Sequence, residues 1–313
     1  MHFKIIMNTT ANKSINAKKA SAEHLFNQGL AVLKLGNLTA SIKLLTSAVE
    51  LSPKYSKAYL YRGIAKAKID YSEAIKDFTI AIELYPEYAM AYNCRAAARS
   101  KLGDHKGAIE DVTKAIELKP RYASAYYGFG MIKMKLKYYI DAIEYFTKAI
   151  ELKPRHASSY CQRGLARMGL EKHLDAIDDF TKALDINSGC VEAYYNRAIA
   201  REKAGYFMGA LEDYKKASKL NPWKYADAYQ NAQRMYTSDS LTNELLTDSE
   251  SVVRPCRPLD NSDVGIEPRN TYRNNDNLDG GRNCYVIRDS GSQFGSMPSY
   301  DDYGEESGPD GSD

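Results

Sequence analysis

Cysteine and histidine, the residue types most often found at metal centres and nucleophilic sites, are few and scattered along this chain. The 313 residues include five of each, with no CxxC pair and no Cys/His cluster at metal-ligand spacing. His105 and His173 occupy equivalent positions at the start of predicted second helices, and the chain has no Gly-rich phosphate loop, nucleophile elbow or HExxH motif. The sequence therefore predicts no catalytic residue, no metal and no cofactor, and we expect a protein that is not an enzyme.

The charged residues are distributed unevenly between the two ends of the chain. Residues 1–236 carry 37 Lys and Arg against 24 Asp and Glu, whereas residues 237–313 carry 6 Arg against 16 acidic side chains. A basic body is thus joined to an acidic tail. The basic residues form no Arg-rich cluster or recognisable reading motif, so nucleic-acid binding is not expected.

The chain termini and the cysteine usage indicate a cytoplasmic protein. An odd number of widely spaced cysteines is typical of a reducing compartment. No apolar run approaches the roughly 18 residues of a membrane span. Residues 1–20 are predicted to be a flexible leader, because the apolar stretch 3–7 is too short for a secretory signal; a resemblance to a transit peptide is only weak.

A short segment recurs six times and divides the chain into units, counted here from the N-terminus. Its copies are TSAVELSP, TIAIELYP, TKAIELKP (twice), TKALDINS and KKASKLNP, and they end 33 or 34 residues apart. Apolar residues at three- and four-residue spacing predict two amphipathic helices per unit, for example Ala89–Leu102 and His105–Leu118 in unit 3. Each first helix carries a small residue at one position, the small column: Gly29, Gly63, Ala96, Gly130, Gly164 and Ala198. Each second helix carries a large one, the large column: Leu45, Phe78, Val112, Phe146, Phe180 and Tyr214.

Helix pairs of 34 residues with small–large–small columns and a closing Pro resemble the tetratricopeptide repeat, over about Ala22–Pro222. The resemblance implies an all-α fold: a right-handed α-solenoid of six helix-turn-helix repeats over 21–236, closed by a capping helix over 223–236. The family's role implies a protein–protein interaction scaffold or adaptor. Beyond it, residues 237–313 are too polar to bury a core, and we expect a disordered acidic tail.

In this family the first helix of each unit lines a concave groove. Carried onto this sequence, the groove would hold a protein or peptide partner on Tyr61, Lys68, Asn93, Lys101, Tyr127, Met131, Met134, Lys135, Gln162, Met168, Tyr195, Asn196 and Lys203. Tyr and Met side chains suit an extended peptide or a helix with apolar anchors. Alternatively, many of these side chains pack between neighbouring helices. Two interpretations are open for the groove lysines. They attract an acidic peptide, or they are solvated side chains at a position where the family commonly has Lys.

One known function of the family is not expected here. Members that bind chaperone C-terminal tails clamp the terminal carboxylate with Lys, Asn and Arg side chains from three successive units. The corresponding positions read Phe26, Leu30, Tyr61, Met90 and Cys94 in the first window of this chain. We therefore do not expect this chain to bind chaperone tails by that clamp.

Comparison of the six units with one another indicates a structural ion pair. Arg precedes the small column, and Asp precedes the large column, in the same four units: Arg62 with Asp77, Arg95 with Asp111, Arg163 with Asp179, and Arg197 with Asp213. Units 1 and 4 lack both, and unit 4 has Phe129 and Tyr145 instead. Their joint presence and absence predicts a contact within one unit.

The acidic tail leaves two interpretations open. It is either a tether or docking segment with Ser and Tyr phosphorylation sites, or a negatively charged segment that lies against the basic body and gates the groove. In the second case the solenoid would act as a regulatory subunit, and salt would weaken the contact.

Overall fold

The computed structural model describes the backbone of residues 2–246 and the side chains of residues 16–236. This part of the chain consists of α-helices with no strand. The thirteen helices are α1 His2–Lys34, α2 Leu38–Leu51, α3 Ser56–Lys66, α4 Tyr71–Leu84, α5 Ala89–Lys101, α6 His105–Leu118, α7 Ala123–Lys135, α8 Tyr139–Leu152, α9 Ala157–Gly169, α10 His173–Ile186, α11 Val191–Lys203, α12 Phe207–Leu220 and α13 Pro222–Leu246. Consecutive helices pack against each other from α1 to α13, which confirms the all-α solenoid. Units 1 to 6 are the pairs α1/α2 to α11/α12.

Turn residues and caps set the helix boundaries within each unit. Asp70 Oδ1 accepts a hydrogen bond from the Ser72 amide at 2.7 Å, and Asp104 Oδ1 accepts one from the Gly107 amide at 2.9 Å. These carboxylates satisfy amides that a helix start leaves without a partner. At the other end, Pro stands two residues after the last residue of α2, α4, α6, α8 and α12, where it cannot extend the helix.

In five of the six units, the turn between the two helices contains one residue in the left-handed conformation. Gly103 has a φ of 87°, and the equivalent Lys137 adopts a φ of 60° although it carries a side chain. Unit 2 has no residue with positive φ in its turn. Its turn is one residue shorter, which accounts for the single 33-residue step in the repeat.

The core of each unit is built where the small column meets the large column. A Cβ atom placed on Gly63 or Gly130 would lie 2.6 Å from the ring of Phe78 or Phe146, respectively. Both rings are fully buried. The two helices therefore approach closely because the first one lacks a side chain at this point.

Both ends of the array are more helical than the sequence predicted. Helix α1 begins at His2, so the backbone of residues 2–20, assigned to a leader, is helical and continuous with unit 1; its flexibility stays a prediction. The closing helix α13 packs on α12 and continues to Leu246, ten residues beyond the predicted end of the cap at Tyr236. The disorder predicted for the tail lies, from residue 247 onward, outside the described residues.

Candidate functional site

The contacts between helices identify the inner surface of the array. First helices of successive units touch each other at α1–α3, α5–α7, α7–α9 and α9–α11. Among the described residues, the second helices of successive units lie farther from each other than the first helices do. A stack of helix pairs bends toward the side where its members are closest, so the first helices lie on the concave side.

The structure divides the predicted groove residues into three groups by exposure. The lysines Lys68, Lys101, Lys135 and Lys203 are exposed. Six residues are half-buried: Tyr61, Met131, Met134, Met168, Tyr195 and Asn196. Three residues are buried: Asn93, Tyr127 and Gln162. A partner on this surface would therefore meet the lysines and the half-buried aromatic and methionine side chains, while the buried three offer it almost no area.

The buried members of the predicted groove hold neighbouring helices together. The ring of Tyr127 packs on Phe146 of its own unit at a centroid distance of 5.8 Å. It also meets the ring of His156, at the start of the next unit, edge-on at 5.1 Å. Oδ1 of Asn93 lies against Gly128 of the next first helix, where an added Cβ would come within 3.0 Å. Tyr127 and Asn93 therefore pack between neighbouring helices, which is the alternative given above for groove residues.

Methionines form the apolar part of the accessible inner surface. Met131 and Met134 of α7 pack on the cluster around Phe146, and Met168 of α9 packs on the cluster around Phe180. All three keep part of their side chain accessible. A flexible thioether chain adapts to partners of irregular shape, so this surface can accommodate apolar anchors of different sizes.

The exposed lysines Lys101, Lys135 and Lys203 are the last residues of their helices, and Lys68 lies two residues beyond the end of α3. The partial negative charge at a helix C-terminus stabilises a positive side chain there. Lys135 Nζ also donates a hydrogen bond to the carbonyl oxygen of Ser100 in the preceding unit at 2.8 Å. Partial desolvation of its ammonium group lowers the pKa of Lys68 from the ordinary value. The result is a row of positive charge beside the methionines.

Four arginines reach across to the second helix of their own unit. In unit 3, Arg95 Nε and Nη2 donate to the two carboxylate oxygens of Asp111 at 2.9 and 2.8 Å. The same two-pronged contact joins Arg62 to Asp77, Arg163 to Asp179, and Arg197 to Asp213. The four aspartates are buried. Bidentate Arg–carboxylate contacts of this kind fix both the distance and the relative rotation of two helices.

The sequence comparison did not predict two further contacts of this network, one to the aspartate and one from the arginine. The carboxylate of Asp111 also accepts a hydrogen bond from Arg99 Nη1 at 2.9 Å, one turn further along α5. Arg95 Nη1 in turn donates to Thr79 Oγ1 of the preceding unit at 3.1 Å. The sequence does contain a sign of the threonine contact, because Thr is the first residue of the recurring segment in five of its six copies. Each arginine thus connects its own unit to the previous one.

Unit 4 replaces this network with an aromatic pair. Phe129 and Tyr145 stack with their ring centroids 4.0 Å apart and their planes 18° from parallel. Lys133 Nζ lies 5.7 Å from the Phe129 ring centroid and pairs with Asp141 at 2.8 Å. No arginine links Thr113 of unit 3 to unit 4, and α6 and α7 contact each other least among the consecutive helices of the described chain.

An exposed apolar edge runs along the turns inside the units, and the repeat columns did not reveal it. Its residues, called the turn edge here, are Leu35, Ile69, Leu102, Tyr138, Ile140, Leu174, Tyr206, Phe207 and Met208. Between the turns of units 5 and 6 it borders an open depression of about 490 Å³. The depression is lined by Glu171, Lys172, His173, Leu174, Asp175, Ala204 and Tyr206. This edge is a second surface that a partner could use.

The described part of the chain contains neither a cluster of metal ligands nor a membrane-spanning helix. No three His, Cys, Asp or Glu side chains among residues 16–236 lie together in an arrangement that could hold a metal ion. None of the described helices combines the length and the apolar character that membrane crossing requires.

A stack of consecutive helix pairs with an accessible inner surface defines a helical-repeat protein. Sequence profiles described as tetratricopeptide repeat match residues 64–123, 123–156 and 161–222. The chain belongs to the tetratricopeptide-repeat family, as its repeat columns predicted. Comparison with curated proteins found no significant match.

Two solved structures share this fold at low sequence identity. A chain of the APC/C hetero-tetramer Cut9–Hcn1 is 17% identical with a TM-score of 0.63 over 73% of this chain. This chain spans only 46% of that one. PilF of Pseudomonas aeruginosa is 15% identical with a TM-score of 0.60, over 70% of this chain and 99% of its own. YrrB, described as having an unusual peptide-binding site, is 20% identical with a TM-score of 0.47, over 61% and 97%. At these identities the likeness concerns the fold alone.

Proposed function

We propose that this protein is a non-enzymatic scaffold or adaptor that holds a partner peptide or helix on its inner surface. The fold supports a role in protein–protein interaction generally. The finer proposal rests on one observation: exposed lysines run beside accessible methionine side chains on the concave side of the array. A partner with apolar anchors flanked by acidic residues fits that surface.

The two parts of this surface would have different roles in binding. The methionines and the half-buried Tyr61 and Tyr195 supply apolar area, which provides most of the binding free energy. The lysines attract acidic groups and raise the rate of association. We infer a cytoplasmic location from the scattered thiols, of which Cys94, Cys161 and Cys190 are buried and in no disulfide.

Binding is tested with peptides selected from a random linear library displayed against the full chain. Affinity is then measured by fluorescence anisotropy for two triple variants with the same change of charge. The inner variant carries Lys68→Glu, Lys101→Glu and Lys135→Glu. The outer variant carries Lys114→Glu, Lys148→Glu and Lys182→Glu, all exposed on second helices.

We expect selected peptides to combine acidic and apolar residues, and the inner variant to bind them about tenfold more weakly or worse. The outer variant should stay within about twofold of the wild type, because its charges lie on the other face. Equal losses in the two variants would show that only net charge matters. An unchanged affinity in the inner variant would place the binding site elsewhere, and the turn edge would then be the first alternative.

The second candidate function is a regulatory subunit whose basic solenoid is gated by its acidic tail. The observation in its favour is the opposite charge of residues 1–236 and 237–313. The same peptide measured on a chain ending at Leu246, the end of α13, distinguishes the two candidates. Gating predicts tighter binding by the shortened chain, with a difference that disappears at high salt; a simple tether predicts unchanged affinity.

A further inference from the structure

Units 5 and 6 meet at a pair of thiols. Cys161 of α9 and Cys190, which precedes α11, belong to one buried cluster with Ala183, Leu184 and Ala193. A hydrogen bond between the two thiols shifts the pKa values of both. Neither sulfur is in a disulfide.

The same two positions touch at other junctions of the array, where aromatic rings occupy them. The first is three residues before the small column, and the second directly precedes the next first helix. At these positions the rings of Phe26 and Tyr55 are 5.1 Å apart, as are those of Tyr127 and His156. The contact between Cys161 and Cys190 is therefore set by the geometry of the repeat.

The surroundings give the two sulfurs different reactivity. Cys190 is the N-cap residue of α11, where the positive end of the helix favours a thiolate. The hydrogen bond with Cys161 lowers the pKa of Cys190, and the same bond together with burial raises the pKa of Cys161. Cys190 is also the more accessible of the two, at 8% against 2% exposure. Its N-cap position and greater accessibility thus mark Cys190 as the attacking sulfur, and the buried Cys161 is the resolving one.

We propose that Cys161 and Cys190 form a redox-active dithiol, which a peroxide oxidises to a disulfide between units 5 and 6. The Cys190 thiolate attacks one oxygen of hydrogen peroxide; the O–O bond breaks, hydroxide leaves and takes up a proton, and Cys190 becomes a sulfenic acid. The sulfur of Cys161 then attacks that of Cys190, the S–OH bond breaks, and a second water leaves with the thiol proton. Two electrons from the thiols reduce one peroxide to two waters.

The disulfide would tie α9 to the start of α11, one unit further along. A repeat array unfolds through breaks between neighbouring units, and this bond closes one such break. The oxidised chain should therefore melt higher than the reduced chain, by about 5 °C. A thiol reductant such as dithiothreitol should reverse the change.

The test treats the reduced full chain with hydrogen peroxide, blocks remaining thiols with N-ethylmaleimide, and maps unreduced peptides by mass spectrometry. We expect a linked peptide containing Cys161 and Cys190. Cys94→Ser, which changes another buried thiol, should leave this link intact. In Cys161→Ser the link should be absent, and dimedone should trap a sulfenic acid on Cys190.

Two results would overturn the proposal. The first is alkylation of both Cys161 and Cys190 after a treatment that oxidises other cysteines of the chain. The second is a bond from either of them to a different cysteine. An oxidised, correctly linked chain that melts at the same temperature as the reduced one would contradict the proposed tie between units 5 and 6.

Discussion

Replacing Asp179 with alanine is expected to lower the free energy of unfolding of the array by about 3 kcal/mol. The carboxylate is buried and accepts hydrogen bonds from Arg163, while Arg167 Nη1 lies 2.8 Å from one of its oxygens. Without it, two guanidinium groups lose their partner inside the unit. The value falls at the lower end of the range for broken buried pairs because both arginines reach solvent, with 14% and 23% of their side chains exposed.

Urea unfolding followed by circular dichroism measures this effect, with Asp178→Ala as the matched control. Asp178 is the neighbouring residue on α10, and it is exposed. Its replacement should change the free energy of unfolding by no more than about 0.5 kcal/mol. If Asp179→Ala were as stable as Asp178→Ala, the arginine contacts would not contribute to the stability of the array.

The second large effect is expected where helices cross at Gly130. Gly130→Ala should cost about 1–3 kcal/mol, because its Cβ would lie 2.6 Å from the Phe146 ring. Phe146→Val alone leaves a cavity and should cost about 2 kcal/mol. The double variant should be less destabilised than the sum by about 1 kcal/mol or more. Unit 3 already contains the combination, with Ala96 and Val112 both buried in one cluster.

A double-mutant cycle from urea unfolding of the four proteins gives this coupling energy. Additive costs, within about 0.5 kcal/mol, would contradict the account in which the small and large columns are matched in size. Five units follow this size match in the sequence, with Gly opposite Leu or Phe and Ala96 opposite Val112; unit 6 departs from it, because Ala198 stands opposite the larger Tyr214.

The repeat made the body of the fold predictable from the sequence. Helices 89–102 and 105–118, predicted in unit 3, end within one residue of α5 and α6. Beyond the repeated columns the sequence held no equivalent signal. Helix α1 starts at His2 instead of near Ala22, and α13 passes Tyr236; neither extension contains a Pro or Gly that would end a helix.

The candidate site was predictable only in part. The residue columns indicate which face of a helix a side chain occupies, and the exposed lysines follow that pattern. Burial of Asn93, Tyr127 and Gln162 depends on the next unit in the stack, which a pattern within one unit does not contain. The turn edge escaped notice for a related reason: its apolar residues stand outside the helical periodicity, in the turns and at the starts of second helices.

Binding of the partner to the inner surface is tested most directly by photo-crosslinking. A selected peptide carries a photoreactive residue, and mass spectrometry locates the cross-links on the full chain. We predict cross-links to the accessible side chains of α5, α7 and α9, with Met131, Met134 and Met168 prominent among them. Cross-links confined to second helices, or to the turn edge around Tyr138, Leu174 and Phe207, would contradict binding to the inner surface.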